Sequence, residues 1–472
     1  MPQLPFAVET YMSRANPVSS QRVVNMYAEM QPEEVNAKSR LVLFGAPGVS
    51  EFADVGSGPI RGFHYLRDVM YVVSGTGFYS VSSTGTATLL GSGLQNGTGP
   101  VSMDDNGVEI MVVDGVNGFI YDTDALTWTQ IADVDFYSSN RVQHVDSYFV
   151  CDRKNTNQFF ASTSLDGTDW PALFFASADS QSDYTLSPIN HMQQLIIAGQ
   201  RSMEVWYLSG GNNFPWTRHQ GVAIQIGIAT PFAWWKMRES LYFLGSDRVF
   251  YRLNGTQAQR VSKHANEQIW QTYGDVSDFH VFGLTWEGHD FIVLTFPTAE
   301  KTWVLDATYG LWHERESWDA DGNSIGRWCA NAYINAYNKH FIGDINSGKI
   351  GELSASVYTE FGNTMRGLVQ GAPIHKDGHK VFMPRFELDV EAGIGLTSGQ
   401  GSDPQLVLSI SDDGGRTFNQ TEWRSMGMIG EYGRKLSWTG MGSFYQRTFR
   451  LEITDPVRRS IITNYVDVES EA

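Results

Sequence analysis

Residues 70–81 read MYVVSGTGFYSV and residues 110–123 read IMVVDGVNGFIYDT. Each is an apolar run rich in β-branched and aromatic residues, then a glycine turn, then a second run with an aromatic. That pattern predicts a strand, a tight turn and an antiparallel strand. Comparable first runs recur as YFVCD at 148–152, LIIAG at 195–199, LYFLGS at 241–246, FIVLTF at 291–296 and HFIGD at 340–344. Second runs follow several of them, as MEVWYL at 203–208, RVFYRL at 248–253 and TWVLDA at 302–307. A third often comes next, as in LTWTQIAD at 126–133 and FPWTRHQ at 214–220. The repeat of about 40–50 residues is that of four-stranded propeller blades, each burying its faces only against its neighbours. Closing the ring protects edges that an open sheet would expose. The expected fold is all-β: a β-propeller of six to eight blades over residues 57–357, with no WD or kelch signature.

Outside that span the repeat stops. Residues 1–56 read as an extended N-terminal arm with one or two strands, packing on the platform or on a neighbouring subunit. Residues 358–380, YTEFGNTMRGLVQGAPIHKDGHK, break the period and read as a linker. Five alternating strands then resume within 381–472 and predict a β-sandwich, which the N-terminal arm can join. QRVVNMYAEM at 21–30 and NEQIWQTYG at 266–274 are the two short helical candidates.

Composition narrows the function. Charged residues are 18% and aromatics 13% of the chain, with 47 glycines, which suits a turn-dense β protein with broad contact surfaces. The net charge of −18 argues against tight nucleic-acid binding, which draws on Lys and Arg to neutralise phosphates. It is compatible with an acidic wall past which DNA slides. Two distant cysteines, Cys151 and Cys329, provide neither a disulfide framework nor a zinc ligand set. No signal peptide and no run of ~18 apolar residues is evident, so synthesis in the cytoplasm without membrane insertion is expected.

The motifs point to turns more than to chemistry. SDDGGRTF at 411–418 resembles the Asp-box hairpin of the sialidase family, and STSLDGTDW at 162–170 is a looser echo. In such a hairpin Asp413 accepts backbone N–H bonds, Gly415 takes the turn conformation, Ser411 and Thr417 close the loop and Phe418 anchors it. A sialidase-like site would also need arginines from different blades to converge, from among Arg61, Arg141, Arg201, Arg248 and Arg327, plus a Tyr–Glu pair and an acid. DADGNS at 319–324 starts like a calcium loop but has Ser324 where glycine is needed and Ala330 where glutamate is needed. His375 and His379 lack a third ligand in sequence, and Arg458 with Arg459 reads as a solvated turn. No catalytic constellation, cofactor loop or metal set is expected.

Four stretches carry a wider resemblance: QRVVNMYAE at 21–29, LFGAPGVSEFADVGSGPIRGFHYL at 43–66, GLWHERES at 310–317 after VLDATYG, and the C-terminal region from LSISDDGGRTF through RSIITNYVDVE. Together they resemble the tail nozzle, or tail hub, proteins of short-tailed bacteriophages, also called packaged-DNA stabilisation proteins. The resemblance implies a virion tail protein, made in the host cytoplasm and assembled as a homohexamer below the head-to-tail adaptor ring. It implies a DNA channel without specific binding, and attachment of a tail needle or plug and of fibres or tailspikes. It also implies that Arg22, Asn25, Tyr27, Pro47, Gly48, Pro59, Arg61 and Gly62 fix the N-terminal region against its neighbours. The alternatives are a sialidase-like glycosidase and a receptor- or glycan-binding propeller tail protein.

Overall fold

The computed structural model describes residues 6–32, 38–211 and 214–470. Its first six propeller blades follow one another along the chain, over 60–92, 102–130, 142–177, 185–224, 234–260 and 280–315. The seventh takes three strands from 330–354 and its fourth, Gly48–Asp54, from the other end of the propeller sequence. That strand pairs antiparallel with Lys349–Ser354, from Lys349↔Asp54 to Ser354↔Gly48, and closes the ring. The described residues therefore form seven blades. Each apolar first run of the sequence forms most of its blade's second strand, as in Val69–Ser74 and Glu109–Val113. These strands are buried nearly throughout because both faces of a blade meet other blades.

Separate apolar clusters occupy the spaces between blades. Val73, Phe78, Ile110 and Phe119 fill the first–second gap, and Val113, Val142 and Phe149 the next. The largest joins blades four, five and six around Trp270, Trp303 and Trp312. Trp270 comes from the helix His264–Thr272, where a helical candidate was read. Polar ties also cross the gaps: Trp234 Nε1 donates to Ser187 Oγ at 2.8 Å between blades five and four.

The turns inside the blades are tight. Arg67-Asp68, Asp146-Ser147, Met192-Gln193, Glu287-Gly288 and Tyr337-Asn338 each join a first to a second strand with two residues at positive φ. This left-handed pair matches the right-handed twist of the strands it joins.

The stretch 21–30, a helical candidate, is two strands, Ser20–Val24 and Met26–Met30. Asn25 separates them at φ 52°. The bend sends the chain from one sheet to another, a corner that Asn tolerates and a helix cannot contain. Ser20–Val24 pairs with Gly367–Gln370, and the sheet continues through Gln446–Ile453, Gln405–Ser411 and Gln420–Ser425. Met26–Met30 lies in a second sheet with Leu41–Gly45, Ser460–Ser470, Val381–Val390 and Leu436–Thr439. Val23, Met26, Phe386, Leu408, Trp438 and Phe449 meet between the two as a sandwich core. The N-terminal segment thus supplies strands to both layers.

Candidate functional site: the junction and the central cavity

The two parts share a sheet. Val24 pairs in parallel with Glu314, so blade six continues directly into one layer of the sandwich. Charged side chains lock this seam. Arg22 Nε and Nη2 donate to the two Glu314 carboxylate oxygens at 3.0 and 2.7 Å, a bidentate pair with Glu314 buried. Arg366 joins Glu316 at 2.7 Å and Glu452 of the sandwich at 2.9 Å. Asn25 Nδ2 donates to the carbonyls of Glu316 and Arg366, both at 2.9 Å, and its Oδ1 accepts from Glu316 N. Tyr27 packs edge-on against His289 and Phe291 and donates to Glu287 at 3.1 Å. In LWHER, Trp312 packs in the propeller core and Glu314, two residues on along the same face, reaches the seam.

The other family-derived positions lie on the continuation of this path. Pro47 lines a cavity with Tyr27, Tyr358 and Arg459. Gly48 leaves no room for a side chain, because a Cβ would come within 2.2 Å of the Val357 carbonyl oxygen. Pro59 precedes blade one. Arg61 is buried and donates to the carbonyls of Gly99, Gly75 and Gln95, bracing the loops of blades one and two. Gly62 lies against Val101 and Met103 of blade two.

Behind the seam is a set of buried charges that no sequence period reveals. Glu360 accepts from Trp328 Nε1 at 2.9 Å, and burial pushes its carboxyl up to about 7. Arg315 stacks on Trp328 at 4.5 Å. Arg459, read as part of a solvated turn, is instead buried and donates to the carbonyls of Tyr358 and Met365. The reason is that the strand after the turn enters the middle of the second sandwich sheet. Arg458 is the exposed member and pairs with Glu391 at 3.0 Å.

The Asp-box-like turn sits at the tip of the hairpin Gln405–Ser411 and Gln420–Ser425. Asp413 accepts from Ser411 Oγ at 2.6 Å, Arg416 N at 2.8 Å, Thr417 N at 3.0 Å and Thr417 Oγ1 at 2.6 Å. These donors hold its carboxyl well below the usual carboxylate range. Gly415 has φ 86° and donates to Ser411 Oγ at 2.9 Å, while Phe418 carries the Arg450 guanidinium at 4.0 Å from its ring centre. The echo at 162–170 closes similarly, with Asp166 accepting from Thr168 N and Oγ1. DADGNS folds back on Asp319, which accepts from Asn323 N at 2.7 Å.

A cavity of about 300 Å³ lies at the propeller axis, lined by the first strands of six blades. Of the five arginines considered, Arg61 and Arg141 line it, and Arg327 lines an adjoining cavity that shares Phe232, His280 and Asn331. Arg201 does not reach it, and Arg248 donates to carbonyls at the end of the helix. Among the described residues no Asp or Glu lines the axial cavity, so the carboxylate pair that glycoside cleavage uses is not assembled there.

The class defined is a seven-bladed propeller fused through one continuous sheet to a two-layer sandwich, with a bidentate ion pair at the seam. The family profile described as Bacteriophage P22 Gp10, beta-propeller, matches residues 3–358, and that described as Bacteriophage P22 Gp10, beta-sandwich, matches residues 369–469. The chain belongs to this family of phage proteins that stabilise packaged DNA, and its role is structural, in the phage tail. No curated protein matches it. Similar solved structures include selenomethionine-substituted virginiamycin B lyase from Staphylococcus aureus, at 11% identity over 63% of this chain and 94% of that one, TM-score 0.43. Another is the Cps50 (Swd1) β-propeller domain of Myceliophteria thermophila, at 9% identity over 65% and 99%, TM-score 0.42. Likenesses at that level carry no argument about function.

Proposed function

We propose that six copies of this chain form the nozzle ring of a short phage tail below the head-to-tail adaptor. The ring extends the DNA channel, helps to retain packaged DNA, and offers surfaces to a needle or plug and to fibres or tailspikes. Membership of the packaged-DNA-stabilising family over both parts of the chain carries this reading. The charge of −18 supports it, because an acidic lumen repels phosphates and lets DNA pass without sticking. The motif residues Arg22, Asn25 and Tyr27 then hold propeller and sandwich at the fixed angle that ring closure requires.

The test uses whole particles. Peptides of this chain are quantified against the portal protein in purified virions by mass spectrometry. Roughly six copies for roughly twelve portal subunits is the expected ratio for the nested rings. Absence of the chain from particles would overturn the proposal, and a ratio tied to fibre number would favour a receptor-binding role. Particles carrying Arg22→Ala or Tyr27→Ala are expected to lack complete tails; full tails in both would remove those residues from the assembly role.

A further inference from the structure

We propose that the axial cavity of the propeller, together with the adjoining cavity that shares Phe232, His280 and Asn331, is an oxyanion site for a phosphate-type group, with Arg61 and Arg141 in the first, Arg327 in the second and Lys236 at the mouth. The side chains come from separate parts of the ring, so the site exists only in the closed propeller. Among the described residues none of these four cations has a carboxylate within ion-pair distance. The Arg141 guanidinium lies between Phe232 and Trp234, at 4.7 and 4.5 Å from their ring centres, and its Nε is buried without a hydrogen-bond partner. Arg327 is buried with Nη2 unpartnered, and His280 is buried with Nε2 unpartnered. Arg61 spends Nε and Nη1 on three carbonyls and makes no hydrogen bond through Nη2. Lys236 reaches the Asn190 carbonyl at 2.9 Å.

Buried cations without counter-charge are costly, and an anion seated among them removes that cost. The acids nearby stand beyond ion-pair distance and are largely committed elsewhere: Asp104 to His144 N and Gln143 Nε2, Asp105 to His64 at 2.7 Å, and Asp152 to Ser139, Asn140 and Arg141 N. Asp278, which lines the adjoining cavity, accepts from Thr298 through Oδ2 and leaves Oδ1 unpartnered, so it offers Arg327 partial compensation only. Burial lowers the Arg141 guanidinium to about 10 and the His280 imidazole to about 4, with the Arg327 charge adding to the fall at His280. The volume admits a phosphate group or a small phosphate ester and excludes a duplex, and the planar forks of arginine suit its oxygens.

The experiment titrates the full chain with sodium phosphate against sodium chloride at matched ionic strength, by calorimetry and by melting temperature. Adenosine 5′-monophosphate forms a second arm that separates free phosphate from a phosphate ester. Binding of either with a Kd below about 1 mM, and a phosphate-specific rise of a few degrees in Tm, is expected. Arg141→Met and Arg327→Met should each weaken binding by about tenfold or more, while the exposed Arg201→Met should leave it unchanged. Absence of any phosphate-specific signal in the unaltered chain overturns the proposal without reference to a variant. So does unchanged binding in the Arg141→Met, Arg327→Met double variant.

Discussion

Replacing Arg22 by Met tests whether the seam is held by its ion pair or merely decorated by it. Methionine keeps the aliphatic stem and removes the guanidinium. Glu314 then loses two of the three side-chain hydrogen bonds it accepts, keeping Thr10 Oγ1 at 3.3 Å. Breaking a fully buried pair costs about 3–5 kcal/mol, and breaking an exposed one less than about 1. The Glu314 side chain is 9% exposed and that of Arg22 29%, so water reaches one partner and hardly the other. The expected loss is about 2–3 kcal/mol. Adding Glu314→Gln removes the stranded charge and should recover about half, giving a coupling of about 1–2 kcal/mol. The assay is a double-mutant cycle from denaturant unfolding, with hydrogen exchange of the Asn25 amide, which donates to the Glu314 carbonyl at 2.9 Å. Exchange there should quicken by about 30-fold in the single variant. A coupling under about 0.5 kcal/mol, with Asn25 exchange unchanged, would refute the reasoning.

Four further outcomes follow from the same geometry. Asp413 is held below the carboxylate range, so its contribution is full above the unfolded pKa of about 4 and is lost as pH falls through the folded value; Asp413→Asn should flatten the acid limb of the stability curve. Glu360 is the opposite case: its stability is full below its unfolded pKa and declines as pH rises to about 7, so Glu360→Gln should gain on the order of 3 kcal/mol over the parent at pH 8, and parallel pH profiles would contradict this. Gly48→Ala places a methyl against the Val357 carbonyl in the closing strand and should cost about 3 kcal/mol, read by Trp fluorescence on unfolding. Met192 is 62% exposed at φ 50°, so Met192→Asn should raise stability by about 0.5–1 kcal/mol in the same measurement.

The propeller was legible because its signal is hydrophobic and repeated: FIVLTF is buried at every position and forms the end of His289–Phe296. The sandwich strands were legible as alternation, as in VFMPRFELDV. The two-residue blade turns were not, since only Glu287-Gly288 among those five contains a glycine and tertiary pairing imposes left-handed backbone on Arg, Met and Tyr. The seam was half visible. QRVVNMYAE and GLWHERES were singled out as motifs, but nothing in one sequence places Glu314 opposite Arg22, and QRVVNMYAEM mimics a helix until Asn25 is known to be a corner. The axial cations were a roll of five arginines, and only closure of the ring distinguishes Arg61, Arg141 and Arg327 from Arg201 and Arg248. Arg459 misled because a basic pair beside a proline turn looks solvated, and burial of one member depends on strands far away.

The strand that closes blade seven has a mechanical consequence. It follows directly on Leu41–Gly45 of the sandwich, and the last strand of 330–354 leads back to the sandwich through Gly367–Gln370. Chain enters and leaves the ring through one blade. Covalent tension between the two parts therefore enters at the paired Gly48–Ser354 end of that ladder, like a clasp opened from its mouth, once the seam on blade six has parted.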